Sequence, residues 1–480
     1  MIKIYNHYIS KGMLFLLFSE AIVLIVSVYL GAEVRFESNI DYASKKFEYF
    51  FLSACIFAFV LMFSMSVFGM YQYNCKEDIR GTFLRLMPSL ALGFGLITLV
   101  FYWVPDLYFG RGILGLVIVF ASLGILVTRF FYYKSSQVNL LKTRVIILGC
   151  GSLAKECSEL AASNGHQQFT VVGFISLQDE DCLVPSEEVL PIGESLLSMV
   201  NTYNVSEIIV AVQNRRGGNL SATGKFRAMP AENIRKPIDD LLECKLAGIR
   251  VIDAATFFER EASQIRVDSL QPSWLVFGGG FDQGFLRDFS KKLFDLLASF
   301  LLLIATFPIM LITAICIVVE DGSPVFYRQE RVGKDGRTFM VLKFRSMRND
   351  AEAAGRPQWA ISDDPRTTKV GRFIRMLRID ELPQILNVFK GDMSFVGPRP
   401  ERPYFVKQLC DQIPYYNIRH SIKPGITGLA QVRYQYGASV EDAIQKLQYD
   451  LYYVKNNSLF LDLLVLVDTI QVVLLGKGAR

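Results

Sequence analysis

Apolar positions crowd the start of the chain in four long stretches: Gly12 to Ala32, Tyr49 to Met70, Leu86 to Val104 and Gly112 to Tyr132. A helix rises about 1.5 Å per residue, so each is long enough to cross a hydrocarbon core of roughly 30 Å. The pattern predicts a four-helix transmembrane bundle over residues 1–135. Glu20 and Arg129 interrupt it. A carboxylate at position 20 can face a bundle interior or lie at the membrane interface, and the pattern leaves both open. The opening "MIKIYNHYISKGMLF" does not read as a cleavable signal, because its apolar stretch is long and others follow closely.

An even number of crossings puts the N-terminus and everything after Tyr133 on one side, with Lys3, Lys11, Lys134, Lys142 and Arg144. The loops do not separate sharply by Lys and Arg count, but the bias favours a cytoplasmic face.

Next, the periodicity changes. "RVIILGCG", "FTVVGFIS", "SEIIVAV" and "GIRVIDA" read as buried strands, with helical patterns such as "PIDDLLECKLAG" between them. Alternating strands and helices imply a parallel sheet, so residues 140–260 form a Rossmann-like α/β domain. Gly149-x-Gly151-x-x-Ala154 matches the relaxed dinucleotide fingerprint. Its expected acidic partner is not clear, because Asp179 is displaced into the following loop. Glycines that serve only a tight turn are therefore favoured over a bound nucleotide. Residues 261–286 read as a polar, glycine-containing linker.

Between Leu296 and Val319 there is no charge; Lys291 and Lys292 precede this run, and Glu320 and Asp321 follow it. Pro308 sits in its middle, where it removes a backbone hydrogen bond and clashes with the preceding turn. A kinked spanning helix and a helix that bends back to the same side both fit. Residues 321–480 are mostly polar until residue 458 and form a last soluble domain. Its tail, "LFLDLLVLVDTIQVVLLGKGAR", is interrupted by Asp462 and Asp468. A helix lying in the membrane interface fits it better than a span, with a core helix as the alternative.

Composition supports a membrane protein of mixed class: 51% of residues are hydrophobic and mean hydropathy is positive. The eight cysteines form no C-x-x-C pair and the three histidines lie far apart, which disfavours zinc and a disulfide framework. Reduced thiols and cytosolic soluble parts are expected. The net charge of +5 suits an anionic membrane or a phosphorylated substrate; no long basic run appears, so nucleic acid is not an expected partner.

Candidate chemistry gathers in the last domain. Val370, Phe373, Ile374 and Leu377 follow i, i+3, i+4, i+7 spacing and predict a helix buried on that face, with Lys369, Arg372, Arg375 and Arg378 around its polar side. Leu382, Ile385, Leu386 and Phe389 predict a second helix, stopped by Gly391. Asp380 then falls near the second helix's N-cap, followed by Glu381, with Pro383 in the first turn. A capping Asp with surface ion pairs would explain this pair alone. Its neighbours add Arg399 in "VGPRP", Lys343 and Arg345 on the strand "LKFRSM", and a second Pro/Gly turn, "KPGITG". Several cations, two rigid turns and two carboxylates suit a diphosphate-bearing substrate. Asp380 and Glu381 can hold Mg²⁺, and an aspartate can attack phosphorus.

From about residue 287 to 480 the chain resembles the bacterial sugar transferases, the monotopic phosphoglycosyl transferases. The resemblance rests on "YRQERVGKDGRTFMVLKFRSM", "DPRTTKVGRFIRMLRIDELPQILNVFKGDMSFVGPRP", "KPGITGLAQV" and "YDLYYV". With four N-terminal helices and a Rossmann-like middle, the whole chain looks like the family's large form, whose members initiate exopolysaccharide, capsule or O-antigen synthesis.

The resemblance implies that Asp380 attacks the β-phosphate of a UDP-sugar and releases UMP, after which undecaprenyl phosphate takes the sugar phosphate. Glu381 matches the second acid, for metal binding or proton handling. Arg375 and Arg399 match phosphate- or nucleotide-binding arginines, and Lys343 and Asp450 are looser matches to the same pocket. The resemblance also implies that Pro308 breaks a re-entrant membrane helix over residues 287–320, leaving a monotopic α/β catalytic domain on the cytoplasmic face of the bacterial inner membrane. Family members often carry serine just before this proline; here Phe307 stands there, with Thr306 beside it. The large form also allows a homodimer. No residue distinguishes the sugar, and glucose or galactose phosphate is the expectation the resemblance carries. A nucleotide-sugar-modifying enzyme run by the Rossmann-like domain, and a non-catalytic scaffold, are the competing classes.

Overall fold

In the computed structural model, the residues described are 2–4, 7–9, 11–36, 49–71, 79–137, 143–163, 169–177, 181–191, 195–212, 237–267, 284–348, 366–434, 437 and 439–474. Apart from the first few residues, the chain divides into two units, Tyr8–Ala262 and Ser263–Arg480.

The first unit opens with α1 (Lys11–Arg35), α2 (Phe50–Val67), α3 (Ile79–Trp103) and α4 (Arg111–Gln137). They share one apolar core that includes Leu24, Val28, Phe57, Leu61, Ile113 and Val117. Small residues let α1 and α4 approach: a Cβ on Gly31 would stand 2.8 Å from Val117 Cγ2. Of the two open placements for Glu20, the interior one is found. The Arg129 Nε lies 2.7 Å from Glu20 Oε1, with side-chain exposures of 2% and 0%. Tyr71 donates to Glu20 Oε2 at 2.5 Å, and Arg129 donates to the Met70 carbonyl at 3.1 Å. Each charge is paired and hydrogen-bonded, which burial in an apolar bundle demands.

The same unit continues with β1 (Thr143–Leu148), α5 (Ser152–Ser163), β2 (Phe169–Ile175), α6 (Leu196–Thr202), β3 (Glu207–Val210), α7 (Pro237–Leu246), β4 (Arg250–Asp253) and α8 (Ala254–Ala262). The sheet is parallel throughout, in the order β2-β1-β3-β4. Side chains alternate across a strand, so β1 feeds two cores. Val145 and Ile147 pack with Leu153, Cys157 and Phe257 of α5 and α8. Ile146 and Leu148 pack with Met199, Val200 and Leu241 of α6 and α7. Burial on both faces is why these strands read as continuous apolar runs. Gly149 has φ +120° at the turn into α5. The Cys150 carbonyl in that turn accepts from Leu183 N at 2.8 Å, so the chain itself lies against the glycine turn. Asp179 lies outside the described residues.

The second unit begins before the long helix. Ile265 and Val267 join its main core, and Ile265 N donates to the Gln448 carbonyl at 3.0 Å. The start of the expected linker is therefore a built part of this unit. Next, α9 (Phe285–Asp321) is one helix of 37 residues, about 55 Å at the usual rise, running through Pro308. Thr306 Oγ1 donates to the Leu302 carbonyl at 2.7 Å, one turn before the proline. Then come the antiparallel hairpin β5 (Phe326–Val332) with β6 (Thr338–Phe344), α10 (Lys369–Met376), a 3₁₀ turn (Ile379–Gln384), α11 (Ile385–Lys390) and β7 (Ser394–Val396). The rest is α12 (Pro403–Gln412), β8 (Gly425–Thr427), α13 (Leu429–Arg433), α14 (Val440–Asn456) and α15 (Leu459–Leu474).

Two expectations change here. The tail helix α15 is a core element: Leu461 and Val465 are buried in the main core. Asp462 is buried in a triad with Lys291 Nζ at 2.7 Å and the Tyr453 hydroxyl at 2.5 Å. Asp468 pairs with Arg433 at 3.1 Å. The two acids that argued for an interface are thus internal partners. On α10, only Gly371 and Ile374 are buried, while Phe373 and Leu377 are exposed. The spacing is helical, but half of the apolar face points outward.

Candidate active site

The acids stand where α10 gives way to the 3₁₀ turn. Arg378 caps that turn in the left-handed region at φ 55°, so the chain reverses sharply just before Asp380 and Glu381. Asp380 therefore lies inside a short 3₁₀ turn, and α11 starts only at Ile385. The expected placement at the N-cap of the second helix is corrected: the N-cap is Gln384, and Asp380 lies in the 3₁₀ turn that precedes it.

Strand β6 brings Lys343 to this turn. Its Nζ donates to Glu381 Oε1 at 2.9 Å, and Arg399 Nη2 donates to the same oxygen at 3.0 Å. Asn387 of α11 locks β6 in place, accepting from Leu342 N at 3.0 Å and donating to the Met340 carbonyl at 2.8 Å. Arg375 donates to Thr367 Oγ1 at 3.2 Å and adds its charge to the field at Asp380. Among the described residues, none hydrogen-bonds the Asp380 carboxylate. The two acids therefore differ. Burial alone would raise the Glu381 carboxyl, but Lys343 and Arg399 outweigh it and hold it well below the usual carboxylate range. Burial raises the Asp380 carboxyl above its ordinary value; the Glu381 charge adds to this, and Lys343, Arg375 and Arg399 oppose it without cancelling it.

The two Pro/Gly turns prove to be neighbours. Strands β7 and β8 pair in parallel, Ser394 with Gly425 and Val396 with Thr427. Gly397 N donates to Thr427 O at 2.9 Å and Gly425 N to Pro398 O at 3.0 Å. A Cβ on Gly425 would collide with Gly397 N, so the approach requires glycine. The remaining carbonyls of "PRPE" are also held: Arg399 O by Arg419 Nη2 at 3.0 Å, Pro400 O by Arg331 Nη1 at 3.1 Å, and Glu401 O by Val332 N at 2.9 Å. Every carbonyl from Pro398 to Glu401 thus has a donor, which fixes the backbone that aims Arg399.

Two expected pocket residues are placed elsewhere. Asp450 is buried, and its Oδ2 accepts from Arg419 at 3.0 and 2.7 Å; it holds the arginine that holds the Arg399 turn. Arg345 is buried too, donating to the carbonyls of Asp321 and Gly322 at 2.9 and 2.7 Å. It ties the end of β6 to the end of α9. Arg419, Asn387 and Arg331 escaped sequence reasoning, because each works through a backbone atom far away in the chain.

Among the described residues, no group of three or more His, Cys, Asp or Glu side chains is assembled as a protein-only metal cage. The donors present still fit Mg²⁺, which takes one or two carboxylates and completes its shell with water and substrate phosphate. The Asp380 carboxylate carries no hydrogen bond among the described residues, and both cations on Glu381 fall on Oε1.

The sequence profile described as bacterial sugar transferase matches residues 286–476, the segment that carries this site. An uncharacterized sugar transferase of Bacillus subtilis is 44% identical over 194 residues, covering 40% of this chain and 90% of that protein. The chain belongs to the bacterial sugar transferase family. Membership makes this sugar transferase a phosphoglycosyl transferase by class. It is also similar to the UDP-N-acetylgalactosamine-undecaprenyl-phosphate N-acetylgalactosaminephosphotransferase of Aeromonas hydrophila, 43% identical over 240 residues, covering 50% of this chain and 56% of that one. The UDP-galactose-lipid carrier transferase of Erwinia amylovora is 32% identical over 364 residues, covering 72% of this chain and 71% of that one, so likeness extends ahead of the catalytic segment. Among the described residues, the sugar transferase has five helices long and apolar enough to cross a membrane, α9 among them. It is a bacterial membrane protein with an α/β domain.

Proposed function

We propose that the enzyme transfers a sugar 1-phosphate from a UDP-sugar to undecaprenyl phosphate, in the first step of exopolysaccharide, capsule or O-antigen synthesis. An Asp380 carboxylate oxygen attacks the β-phosphorus. The bond from that phosphorus to the bridging oxygen breaks, and UMP leaves with the bond's electrons. An undecaprenyl phosphate oxygen then attacks the same phosphorus and displaces Asp380, giving the undecaprenyl diphosphate sugar.

The observation that carries this reading is the division of labour between the two acids. Glu381 is spent on Lys343 and Arg399, while Asp380 lies beside three cations without a hydrogen bond among the described residues. A carboxylate left unbonded in a cationic field is suited to attack a phosphorus whose oxygens those cations hold. When Mg²⁺ is bound by Asp380 and Glu381, it offsets the charge of the diphosphate. Lys343 and Arg399 orient Glu381 and meet the phosphate oxygens, and Arg375 adds charge on the α10 side.

Two observations support a re-entrant α9 with the catalytic domain on the cytoplasmic face. Near its start, Asp295 accepts from Phe395 N at 3.1 Å; near its end, Glu320 accepts from Lys369 N and Val370 N. Both ends thus dock on one domain, whereas a straight spanning helix would separate them by a hydrocarbon core of roughly 30 Å. Between these anchors Leu301, Ile304, Phe307 and Ile312 are exposed and apolar, as a lipid-embedded segment requires. Pro308 cannot donate to the Ile304 carbonyl, and the Thr306 hydroxyl on Leu302 favours a bend there. Exposed Phe373, Met376 and Leu377 of α10 suit the same membrane surface.

The test is UMP release with Mg²⁺ and undecaprenyl phosphate across a panel of UDP-sugars, for wild type and Asp380→Asn. Release with one sugar that is lost in the folded variant supports the reaction and names the donor. Full activity in Asp380→Asn sinks the nucleophile.

A further inference from the structure

The end of the membrane helix is bonded into the catalytic site's frame through one exposed side chain. Helix α10 begins with four backbone N–H groups that have no partner inside the helix. All four are taken. Thr368 N donates to the Ser346 carbonyl at 3.2 Å, and Gly371 N to Thr368 Oγ1 at 2.9 Å. The other two go to a single distant carboxylate: Lys369 N to Glu320 Oε1 at 2.7 Å, and Val370 N to Glu320 Oε2 at 2.8 Å.

These bonds close a ring. Glu320 at the end of α9 holds the start of α10. The start of α10 rests on Ser346, past the end of β6; a Cβ on Gly371 would collide with the Ser346 carbonyl, so the contact is backbone to backbone. Arg345 returns from β6 to the Asp321 and Gly322 carbonyls at the end of α9. Inside the ring, Ile317 of α9 packs with Phe344 and Ile374, and Ile379 lies against them. Lys343 leaves the ring on β6, and Arg375 leaves it on α10, with Asp380 in the 3₁₀ turn that follows. Their relative placement is therefore set where three elements meet.

We infer that Glu320 is a positioning residue for the phosphoryl-transfer step: it sets α10, and through it Arg375 and Asp380, against Lys343, with the membrane helix as the anchor. Glu320 is the first charge after the uncharged run that ends at Val319, so the depth at which α9 settles in the bilayer fixes where this carboxylate stands. The inference rests on the proposed covalent transfer. It assigns Glu320 no contact with substrate.

The experiment is rapid-quench UMP formation by full-length enzyme in lipid nanodiscs, with donor sugar and Mg²⁺ but no acceptor, for wild type, Glu320→Gln and Glu320→Asp. Gln keeps the shape but only one accepting oxygen; Asp keeps both oxygens on a shorter stem. The expected result is a burst rate constant on the order of 10-fold lower in Glu320→Gln, since a displacement of about 1 Å in a reacting group can cost up to about 100-fold. Glu320→Asp should regain part of the rate, with donor KM within about twofold throughout, because α10 is misplaced while the nucleotide site stands. A purely stabilising cap would lower the burst amplitude with the folded fraction and leave the rate constant unchanged, and that result overturns the inference. A wild type that forms no UMP with or without acceptor overturns the transferase reading, and this inference with it.

Discussion

Arg419 donates from Nη2 to the Arg399 carbonyl at 3.0 Å while Asp450 grips the same guanidinium at 2.7 Å. Both Arg419 and Asp450 are buried. A buried pair thus holds the backbone of Arg399, whose guanidinium reaches Glu381. Removing one partner strands a buried charge, at a cost of about 3–5 kcal/mol. Arg419→Ala should lower the folded stability by that amount in detergent denaturation. Arg419 also donates from Nη1 to the Tyr416 hydroxyl at 2.7 Å. Arg419→Lys keeps the charge but cannot serve Asp450, Tyr416 and Arg399 together, so it should fold and still lose transfer activity, read as UMP release.

The acids give a pH signature. The Asp380 carboxyl is raised by burial and by the Glu381 charge, and attack needs its ionised form. The rate should therefore climb with pH through an acid limb set above the ordinary aspartate value near 4. Glu381, held low by Lys343 and Arg399 against burial, stays ionised across that limb. One ionisation then governs the limb, with unit slope in a log-rate plot. Lys343→Met removes a charge that lowers both acids, so the limb of its residual activity should move to higher pH. For stability the sign is opposite to that of a raised group: the ionised Glu381 pairings stabilise the fold above about pH 4 and are lost as pH falls toward its depressed value.

The paired turns predict a steric failure. Gly425→Ala drives a methyl group into Gly397 N. Because the obstacle is backbone, neither strand yields cheaply, and overpacking of this kind costs about 1–3 kcal/mol. The Arg399 turn should shift with it. Thermal denaturation should register the loss, and UMP release should fall further than the folded fraction.

In the bundle, Glu20 and Arg129 should behave as a unit. Glu20→Gln leaves Arg129 without its counter-charge among apolar helices, and the folded yield in detergent should drop sharply. The double variant Glu20→Gln/Arg129→Met should recover part of that loss, because a buried pair replaced whole costs less than one broken. Additive losses would contradict the coupling.

How legible was this in the sequence? Periodicity carried the helices and parallel strands well, because burial imposes it: the buried run Val145–Leu148 of β1 is as apolar as it reads. Lys343, Arg399 and the two acids came together as their neighbourhoods in motifs suggested. Periodicity failed on α10, where apolar spacing does not match burial. Phe373 and Leu377 have core spacing yet lie exposed. It failed again where polar residues serve the interior: Asp462 read as an interruption but is bound by Lys291 and Tyr453. Arg345 and Asp450 carried charge in the right motifs, but a charge in sequence does not say whether its partner is a substrate or a carbonyl. Glu320 gave no signal, since its partners are two amides about fifty residues away.

The central claim is a covalent bond at Asp380. The most direct measurement is mass spectrometry of the enzyme incubated with the donor UDP-sugar and Mg²⁺ without acceptor, then quenched in acid and digested. A sugar-phosphate mass increment is expected on the peptide containing Asp380, with one UMP released per adduct, and the increment should disappear on adding undecaprenyl phosphate. UMP that appears only with acceptor, with no adduct at any time of quenching, would contradict it.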